Sequence, residues 1–292
     1  MKNNYCIIYN PISGNKSGEA CAKALSERLG SVECIDMTAI ESYTDFFEAH
    51  EDMSIIICGG DGTLNRFLND ISDIDVKSSI CFYPCGSGND FFRDIEADKE
   101  NIVCIDEYIK NLPTCVVGDK EFKFINGIGY GIDGYCCEVG DKLRLESNKP
   151  INYTGIAIKG LLFHYKPTTA KVTVDGVVHE FKKVWIAPTM LGRYYGGGMM
   201  PTPAQNRLNS DGELSVMIFH DTTSIQTLMI FPSIFKGEHI KKDKKVTVLS
   251  GKEITVEFSS PRPLQIDGET IPNVSSYTAR SAKIEAELKV KN

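Results

Sequence analysis

The sequence predicts an α/β amino-terminal domain with a parallel sheet, followed by a β-rich carboxy-terminal domain built as an antiparallel sandwich. Strand and helix patterns alternate through residues 1–120, the order that gives a parallel sheet covered on both faces. After about residue 120, short alternating runs are separated by turn dipeptides, which indicates antiparallel strands over residues 121–280. The last residues, about 280–292, are a candidate to pack back on the first domain.

The first domain reads as four strands with helices between them. The apolar runs YCIIY, VECIDM, SIIIC and ICFYPC predict strands at residues 5–9, 32–37, 54–58 and 80–85. Residues 19–30 predict the first helix, because alanines and leucines recur along one face and Gly30 ends the pattern. Residues 43–50 and 64–71 predict two more helices.

The second domain reads as hairpins interrupted by two helices. Hairpin tips are predicted at three dipeptides, Asp175-Gly176, Ser250-Gly251 and Asp267-Gly268. The helices are predicted around 151–165 and 224–236. The first of them mixes apolar residues with Lys159, His164 and Lys166, so a core-facing helix and a membrane-binding helix both stay open.

Composition narrows the class of protein. The chain has 292 residues, of which 42% are hydrophobic and 24% charged, as in soluble globular proteins. Its net charge of −7 argues against a nucleic-acid binder that relies on a basic surface. No apolar run reaches the ~18 residues of a membrane helix, and the start is too short for a secretory signal, so a cytoplasmic protein is expected.

Cysteine usage favours reduced thiols over a metal centre. There are ten cysteines, and Cys6, Cys58 and Cys81 lie in strand-like runs where a thiol packs as a small hydrophobe. Neither Cys81 with Cys85 nor the adjacent pair at 136–137 forms a zinc pattern with a second pair. The five histidines are dispersed and show no ligand spacing.

Three glycine-containing turns follow predicted strands of the first domain. They read NPISG at 10–14, GGDGTLN at 59–65 and PCGSGND at 84–90. In a parallel sheet these turns meet at one edge, where glycines let backbone N–H groups approach a phosphate and a helix presents its positive end. Neither a Rossmann nor a Walker spacing is present, so the two commonest phosphate-loop families are disfavoured.

The three turns, in this order, resemble the nucleotide-binding motifs of the diacylglycerol kinase catalytic-domain family, whose fold is like that of phosphofructokinases and NAD kinases. FINGIGYGIDG at 124–134, YYGGGMMPTPAQNRLNSDGEL at 194–214 and QIDGE at 265–269 extend the resemblance to nearly the whole chain. NAD kinases share GGDGT but not the GSGNDF turn or the late DGE. The chain departs from the family at Val116, where an acidic residue is usual and Asp119 is a candidate substitute, and at Gly134, where alanine is usual.

The resemblance implies which residues form each site. Those expected to border ATP are Asn10, Pro11, Ile12, Ser13, Gly14, Thr38, Gly59, Gly60, Asp61, Gly62, Thr63, Leu64, Asn65, Arg66, Ser87, Asn89 and Asp90. Asp61 and Asp90 are expected to manage phosphate charge with a magnesium ion between them. A second, structural magnesium is implied at Asp211, with the backbone carbonyls of Leu208 and Glu213; a simple turn is the alternative there.

Glu269 and Asp267 are implied as the catalytic residues, with Glu269 as the general base and Asp267 as its partner or a magnesium contact. On spacing alone, this Asp-Gly pair is only a hairpin turn.

The expected function is that of an ATP- and magnesium-dependent lipid kinase, with conversion of diacylglycerol to phosphatidate as the first choice. An NAD kinase and a non-catalytic nucleotide-binding regulator remain as alternatives. Residues 1–120 would bind the nucleotide and 121–280 the lipid. The expected partner is a lipid at the membrane surface, reached by transient association from the cytoplasm, and a homodimer is kept as a candidate assembly.

Overall fold

Two units of the chain fold around separate sheets, Met1–Asn111 and Leu112–Asn292. The computed structural model describes residues 4–13, 17–85, 89–146 and 151–284. Among these residues, none of the helices has the length and apolar character that crossing a bilayer requires.

The first unit contains a five-stranded sheet in the order β2-β1-β3-β4-β5. Its strands are β1 (Tyr5–Tyr9), β2 (Glu33–Asp36), β3 (Ser54–Gly59), β4 (Ile80–Pro84) and β5 (Val103–Cys104). Its helices are α1 (Gly18–Arg28), α2 (Tyr43–Ala49), α3 (Asp61–Asp70), α4 (Asp90–Asp94) and α5 (Asp106–Ile109), with a 3₁₀ turn at Met37–Ala39. The first four strands are parallel as predicted, whereas the two-residue β5 is antiparallel to β4, so the sheet is mixed.

Apolar strands hold this sheet between its helices. Ile55, Ile56 and Ile57 of β3 are completely buried, which is what a continuous apolar run between two helical layers requires. On one face, Ala22 and Leu25 of α1 pack against the strands. The predicted leucines are on this face, but the predicted alanines, Ala20 and Ala24, are wrong because both are exposed. This packing fixes the carboxyl ends of the strands, from which the glycine turns start.

The second unit contains a ten-stranded antiparallel sheet. Its main path is β13-β12-β11-β8-β14-β15-β6-β7, and β9 joins it beside β14 while β10 pairs with β9. The strands are β6 (Thr114–Val117), β7 (Lys120–Lys123), β8 (Gly127–Tyr130), β9 (Thr168–Val174), β10 (Val177–Val184), β11 (Thr189–Met190), β12 (Leu214–Phe219), β13 (Val246–Gly251), β14 (Glu253–Ile266) and β15 (Glu269–Arg280). The α-helices are α6 (Ile132–Glu146), α7 (Tyr153–Lys159) and α8 (Ser224–Ile230).

The two helices predicted from sequence are each broken into two parts. A π-helical turn, Gly160–His164, follows α7, and 3₁₀ helices at Phe231–Lys236 and Glu238–Lys241 follow α8. Pro232 lies at the start of the first 3₁₀ helix, where its missing N–H prevents the α-helical pattern from continuing.

Two of the three predicted hairpins are confirmed. At each tip an Asp-Gly pair takes positive φ, 47° and 82° for Asp175-Gly176 and 46° and 100° for Asp267-Gly268. The Ser250-Gly251 hairpin is wrong, because β13 pairs with β12 while β14 pairs with β15, β8 and β9. The Asp175 Oδ1 accepts the N–H groups of residues 252 and 253, at 2.9 and 2.8 Å, and so directs the chain to β9 instead of back along β13.

The 15-residue helix α6 was not predicted. Its sequence contains Gly134 and Gly140, which lower helix propensity. A Cβ at Gly134 would lie 2.0 Å from the carbonyl oxygen of Pro263, and one at Gly140 would lie 2.7 Å from the Tyr153 ring. The glycines therefore permit close packing on β14 and α7, and this tertiary requirement obscured the helical pattern.

The prediction that the cysteines are reduced thiols is only partly confirmed. Cys6, Cys58 and Cys81 are buried free thiols, but Cys21 of α1 and Cys85 after β4 form a disulfide that spans 64 residues. The Cys58 Sγ lies 2.9 Å from that of Cys85, so three sulfurs meet beneath the glycine turns. These positions are far apart in sequence, and only the parallel topology brings them together.

Candidate active site

Three glycine-containing turns start side by side at one edge of the first unit's sheet. They follow β1, β3 and β4, and the strand register places Tyr9 beside Cys58 and Gly59 beside Pro84. Because these strands are parallel neighbours, their carboxyl ends are level. The topology thus gives the convergence that the sequence predicted.

The first turn folds tightly onto the start of α1. Asn10 Oδ1 accepts the N–H of Ile12 at 3.1 Å, and the N–H of Ser13 donates to the Asn10 carbonyl at 3.1 Å. A Cβ at Gly18 would lie 2.1 Å from that carbonyl oxygen, so the close approach requires glycine. The Ser13 hydroxyl oxygen is buried and has no hydrogen-bond partner among the described residues. An unpaired buried hydroxyl is costly, so Ser13 is suited to donate to a bound phosphate oxygen.

The second turn is shorter than the sequence suggested. Helix α3 begins at Asp61, three residues before the predicted start, so Gly62 and Thr63 are helical. None of the glycines in this turn takes a positive φ: Gly60 is extended at φ −105°, Gly59 belongs to β3 and Gly62 to α3. Gly59 instead permits contact, since a Cβ there would lie 2.5 Å from the Thr63 Cβ. The N-cap residue of α3 is Gly60, which has no side chain to cap the helix, so the positive end of α3 suits an anion.

Asp61 connects the second turn to the third. Its carboxylate accepts the N–H of Asp90 at 2.7 Å and that of Phe91 at 3.2 Å, which stabilises the start of α4. The buried Asp90 in turn accepts a hydrogen bond from Arg93 Nη1 at 3.1 Å, and Asn89 before it adopts the left-handed conformation at φ 45°. Both carboxylates therefore have donors from the protein itself.

Three of the residues predicted to border ATP lie within helix α3. Leu64 is completely buried in the core, so only its backbone is suited to a ligand. Asn65 is buried and accepts from Asn69 Nδ2 through its carbonyl at 2.9 Å. Arg66 is exposed and forms a long ion pair with Asp70 at 3.9 Å.

The remaining predicted neighbours lie at the same edge or outside the described residues. Thr38 follows β2, where Asp36 Oδ1 accepts its N–H and its hydroxyl at 2.8 and 2.7 Å. Pro11 lies in the first turn. Gly14 and Ser87, like most of the terminal segment 280–292, fall outside the described residues, so these assignments stay predictions.

In the second unit, the Asp267 carboxylate is held by backbone donors. Its Oδ2 accepts the N–H of Ile125 at 2.6 Å. Its Oδ1 accepts those of Asn126 and Gly127, both at 2.9 Å. Glu269, two residues later at the start of β15, is exposed. The hairpin thus has one anchored carboxylate and one that is accessible.

A buried carboxylate next to this hairpin was not assigned from the sequence. Asp133, at the start of α6, accepts from the Tyr195 hydroxyl at 3.0 Å, and burial raises its pKa to about 6. A Cβ at Gly129 would lie 1.8 Å from its Oδ2, so that glycine makes room for the carboxylate. Gln265 hydrogen-bonds to Asp133 and, through Oε1, accepts the N–H of Gly268 at 2.7 Å.

Asp133, Tyr195 and Gln265 join the DGE hairpin to the start of α6. All lie in motifs that resemble the family, and the glycines of GIGYGIDG were the available signal. The aspartate after them was overlooked because a lone Asp in a glycine-rich turn usually reflects backbone geometry.

The predicted structural metal turn is closed by its own amide side chains. Asn209 Oδ1 accepts the N–H of Glu213 at 2.8 Å. The Glu213 carbonyl accepts from Asn209 Nδ2 and Gln205 Nε2, both at 2.9 Å. Asp211 is exposed and lines a cavity of about 560 Å³, and Leu208 is also exposed.

The donor set fits magnesium only in part. A carbonyl oxygen has two lone pairs, and both of those on Glu213 already accept hydrogen bonds. Asp211 offers a carboxylate oxygen, the ligand that magnesium prefers.

In the first unit, Asp61 is used to order α4 and Asp90 is paired with Arg93. The magnesium ion expected between these two carboxylates stays a prediction.

Comparison with known proteins identifies both units. Residues 4–116 match the diacylglycerol kinase catalytic domain, and residues 126–284 match the YegS C-terminal NAD kinase beta sandwich-like domain. A diacylglycerol kinase of Bacillus subtilis is 26% identical over 279 residues, covering 90% of this chain and 88% of that protein. A diacylglycerol kinase of Mycobacterium tuberculosis is 25% identical, covering 73% of each.

The fold agrees with these matches. The structure of a diacylglycerol kinase from Bacillus anthracis aligns with a TM-score of 0.61 at 19% identity, covering 96% of this chain and 95% of that one. The chain belongs to the diacylglycerol-kinase-like family and is a lipid kinase.

Proposed function

We propose that this lipid kinase transfers the γ-phosphoryl group of ATP to the hydroxyl of diacylglycerol and produces phosphatidate. The observation that carries the proposal is the Asp267-Gly268-Glu269 hairpin, in which one carboxylate is fixed by three backbone N–H groups and the other is accessible. A lipid alcohol is a poor nucleophile, so an accessible carboxylate on a fixed support suits proton removal. Proteins named diacylglycerol kinase among the relatives support the choice of acceptor.

The first unit would bind the nucleotide. The uncapped start of α3 and the Ser13 hydroxyl supply donors at the edge where the three turns start. Asp61 would act as a positioning residue, because its bonds to Asp90 and Phe91 hold the third turn's helix next to the second turn. Such a preformed site lowers the cost of ordering a flexible triphosphate.

The second unit would supply the chemistry at the acceptor. As the acceptor oxygen forms its bond to the γ-phosphorus, its proton passes to the Glu269 carboxylate and the bond from phosphorus to the β-phosphate oxygen breaks, releasing ADP. Asp267 would keep the hairpin in place and take no proton, since its oxygens accept three backbone hydrogen bonds. Magnesium, when bound with ATP, would neutralise charge on the β- and γ-phosphates. Asp211 is the residue suited to hold a second ion.

An assay with labelled ATP tests the assignment. Purified protein would be given γ-labelled ATP and, in separate reactions, diacylglycerol, phosphatidylglycerol, a sphingoid base, undecaprenol or NAD. Labelled phosphatidate is the expected product. Preferential transfer to NAD would favour the NAD kinase alternative. ATP binding without transfer to any acceptor would favour the regulatory one.

A further inference from the structure

One face of the second unit exposes large apolar side chains on adjacent elements. Helix α8 packs against both the 3₁₀ helix Phe231–Lys236 and the π turn Gly160–His164. Their buried sides share one core cluster, to which Leu161 and Ile234 belong. Their outward sides carry Phe163 and Met229, each 77% exposed, together with Ile225 at 66%.

Helix α8 carries apolar side chains on both its buried and its exposed side. Thr227 is completely buried and Leu228 packs against the core, yet Ile225 and Met229, one turn apart, face outward. Large exposed apolar patches on soluble proteins mark surfaces that bind something.

Charge indicates what covers this face. Residues 151–166 and 222–237 contain no Asp or Glu, although the chain carries a net charge of −7. They contain Lys159, Lys166 and Lys236, all exposed. Apolar side chains surrounded by lysines are the pattern of a surface that lies on anionic lipid headgroups.

The neighbouring helix does not cancel this positive charge. Helix α6 packs against α7 and carries Glu138 and Asp141. Glu138 is paired with Lys142 at 3.0 Å, and Asp141 with Arg144 at 3.1 Å. Glu138 and Asp141 are therefore compensated locally. The exposed Asp221 and Glu238 adjoin the second segment in sequence, and Lys159, Lys166 and Lys236 outnumber them.

We infer that the face formed by residues 158–166 and 225–236 docks on an anionic lipid bilayer, with Phe163, Ile225 and Met229 inserted between headgroups. This rests on the proposed function, in which the acceptor is a membrane lipid. Helix α6 packs against α7 and also against β14 and β15, and Glu269 is the first residue of β15. The docking face and the Glu269 carboxylate therefore belong to one packed body. The docking face would give the enzyme access to lipid in a bilayer.

Vesicle binding tests the inference directly. Full-length protein would be mixed with sedimenting vesicles of phosphatidylcholine alone, or with about a third phosphatidylglycerol. Wild type should bind the anionic vesicles preferentially. The double variant Phe163→Gln/Met229→Gln should bind them at least about tenfold more weakly, since two large apolar side chains no longer leave water. Lys159→Gln/Lys236→Gln should lose about fivefold per lysine, and only on anionic vesicles.

A matched control separates this face from exposed apolar residues in general. Val177 and Val178 are 60% and 52% exposed on β10 of the same unit, and Val177→Gln/Val178→Gln should bind as wild type does. A second pair, Ile225→Gln/Phe235→Gln, gives the same test if the first does not fold. Normal vesicle binding by both patch pairs, or equal loss in the control pair, overturns the inference.

Two further measurements separate lipid docking from dimerisation and from a loss of catalysis. If the patch variants convert a dimer to a monomer on size exclusion while vesicle binding is unchanged, the face binds a second copy and the inference is wrong. Activity on detergent-dispersed, short-chain diacylglycerol should be the same in wild type and patch variants. Because binding is measured apart from turnover, an enzyme inactive on diacylglycerol would refute the proposed acceptor and leave the docking result to be judged alone.

Discussion

Replacing each carboxylate of the DGE hairpin should separate stability from catalysis. Asp267→Asn keeps the size of the side chain and tolerates the positive φ of 46°. It can keep the two bonds to Oδ1, but its amide group must then face the N–H of Ile125, now 2.6 Å from Oδ2. Losing one charge-assisted bond and leaving a buried donor unpaired should cost about 2–4 kcal/mol. For a unit of this size that is roughly 5–15 °C in Tm.

Glu269→Gln should have the opposite profile. The side chain is exposed, so the change should alter stability by less than ~0.5 kcal/mol. Turnover should fall ~10²–10⁴-fold, because the amide cannot take the proton of the acceptor hydroxyl. The apparent affinity for ATP should stay close to wild type.

Thermal melting and turnover on one set of preparations test both expectations. Melting would be followed by circular dichroism, and turnover by transfer of label to diacylglycerol at a temperature where all variants are folded. An Asp267→Asn variant that melts within a degree of wild type would refute the anchoring role. A Glu269→Gln variant with near-normal turnover would mean that another group removes the proton.

Four further expectations follow from the structure. Gly59→Ala should weaken ATP binding by calorimetry about tenfold or more, because its Cβ must displace Thr63, 2.5 Å away; unchanged affinity would contradict the role of the second turn. Asp133 has its pKa raised by burial from 3.8 to about 6, so its contribution to stability is complete below about pH 4 and is lost as the pH rises through 6. Asp133→Asn should flatten the dependence of Tm on pH in this window, and an unaltered slope would exclude Asp133 as the titrating group. If Asp211 holds magnesium, a chelator should lower the Tm of wild type but not that of Asp211→Ala, whereas equal shifts would mean that it is no ligand. A thiol reductant should lower the Tm of wild type by several degrees and leave Cys21→Ser unaffected, because the disulfide restricts the unfolded chain over 64 residues.

Local pattern was sufficient for the four parallel strands and the three longest helices of the first unit, but not for β5, α4 and α5. A buried strand such as β3 is a continuous apolar run, and α1 is a run of strong helix formers that ends at Gly30. The edge strand β5 has two residues, too few to give any period. The order of the parallel strands then follows general topology, which is why the three turns could be placed at one edge from sequence alone.

Long-range contacts explain what the sequence could not show. Helix α6 was not predicted because its glycines are required by close packing against β14 and α7, whose contacting residues are distant in the chain. The failed hairpin at Ser250-Gly251 has the same kind of cause, since a carboxylate at residue 175 redirects the strand. The three sulfurs beneath the turns come from a helix and two strand ends, and no sequence spacing encodes that meeting.

For the site residues, too, the sequence predicted one property and not the other. Their positions follow from motifs, but their roles depend on partners. The role of Asp61 beside phosphate stays a prediction, and the structure adds that its carboxylate accepts the N–H groups at the start of α4. Asp133 looked like part of a turn, and the structure shows it buried against Tyr195 and Gln265.

The hairpin and catalytic interpretations of Asp267-Gly268-Glu269 are compatible. An Asp-Gly pair suits a tight hairpin because both residues accept positive φ. That geometry also directs the Asp267 side chain to the backbone at 125–127, at the entrance to β8. These bonds hold the turn that ends β14 against the residues before β8. They therefore also fix the position of Glu269, with which β15 begins. A residue chosen for turn formation can therefore determine the position of the proposed base, which is why Asp267 should affect stability and Glu269 turnover.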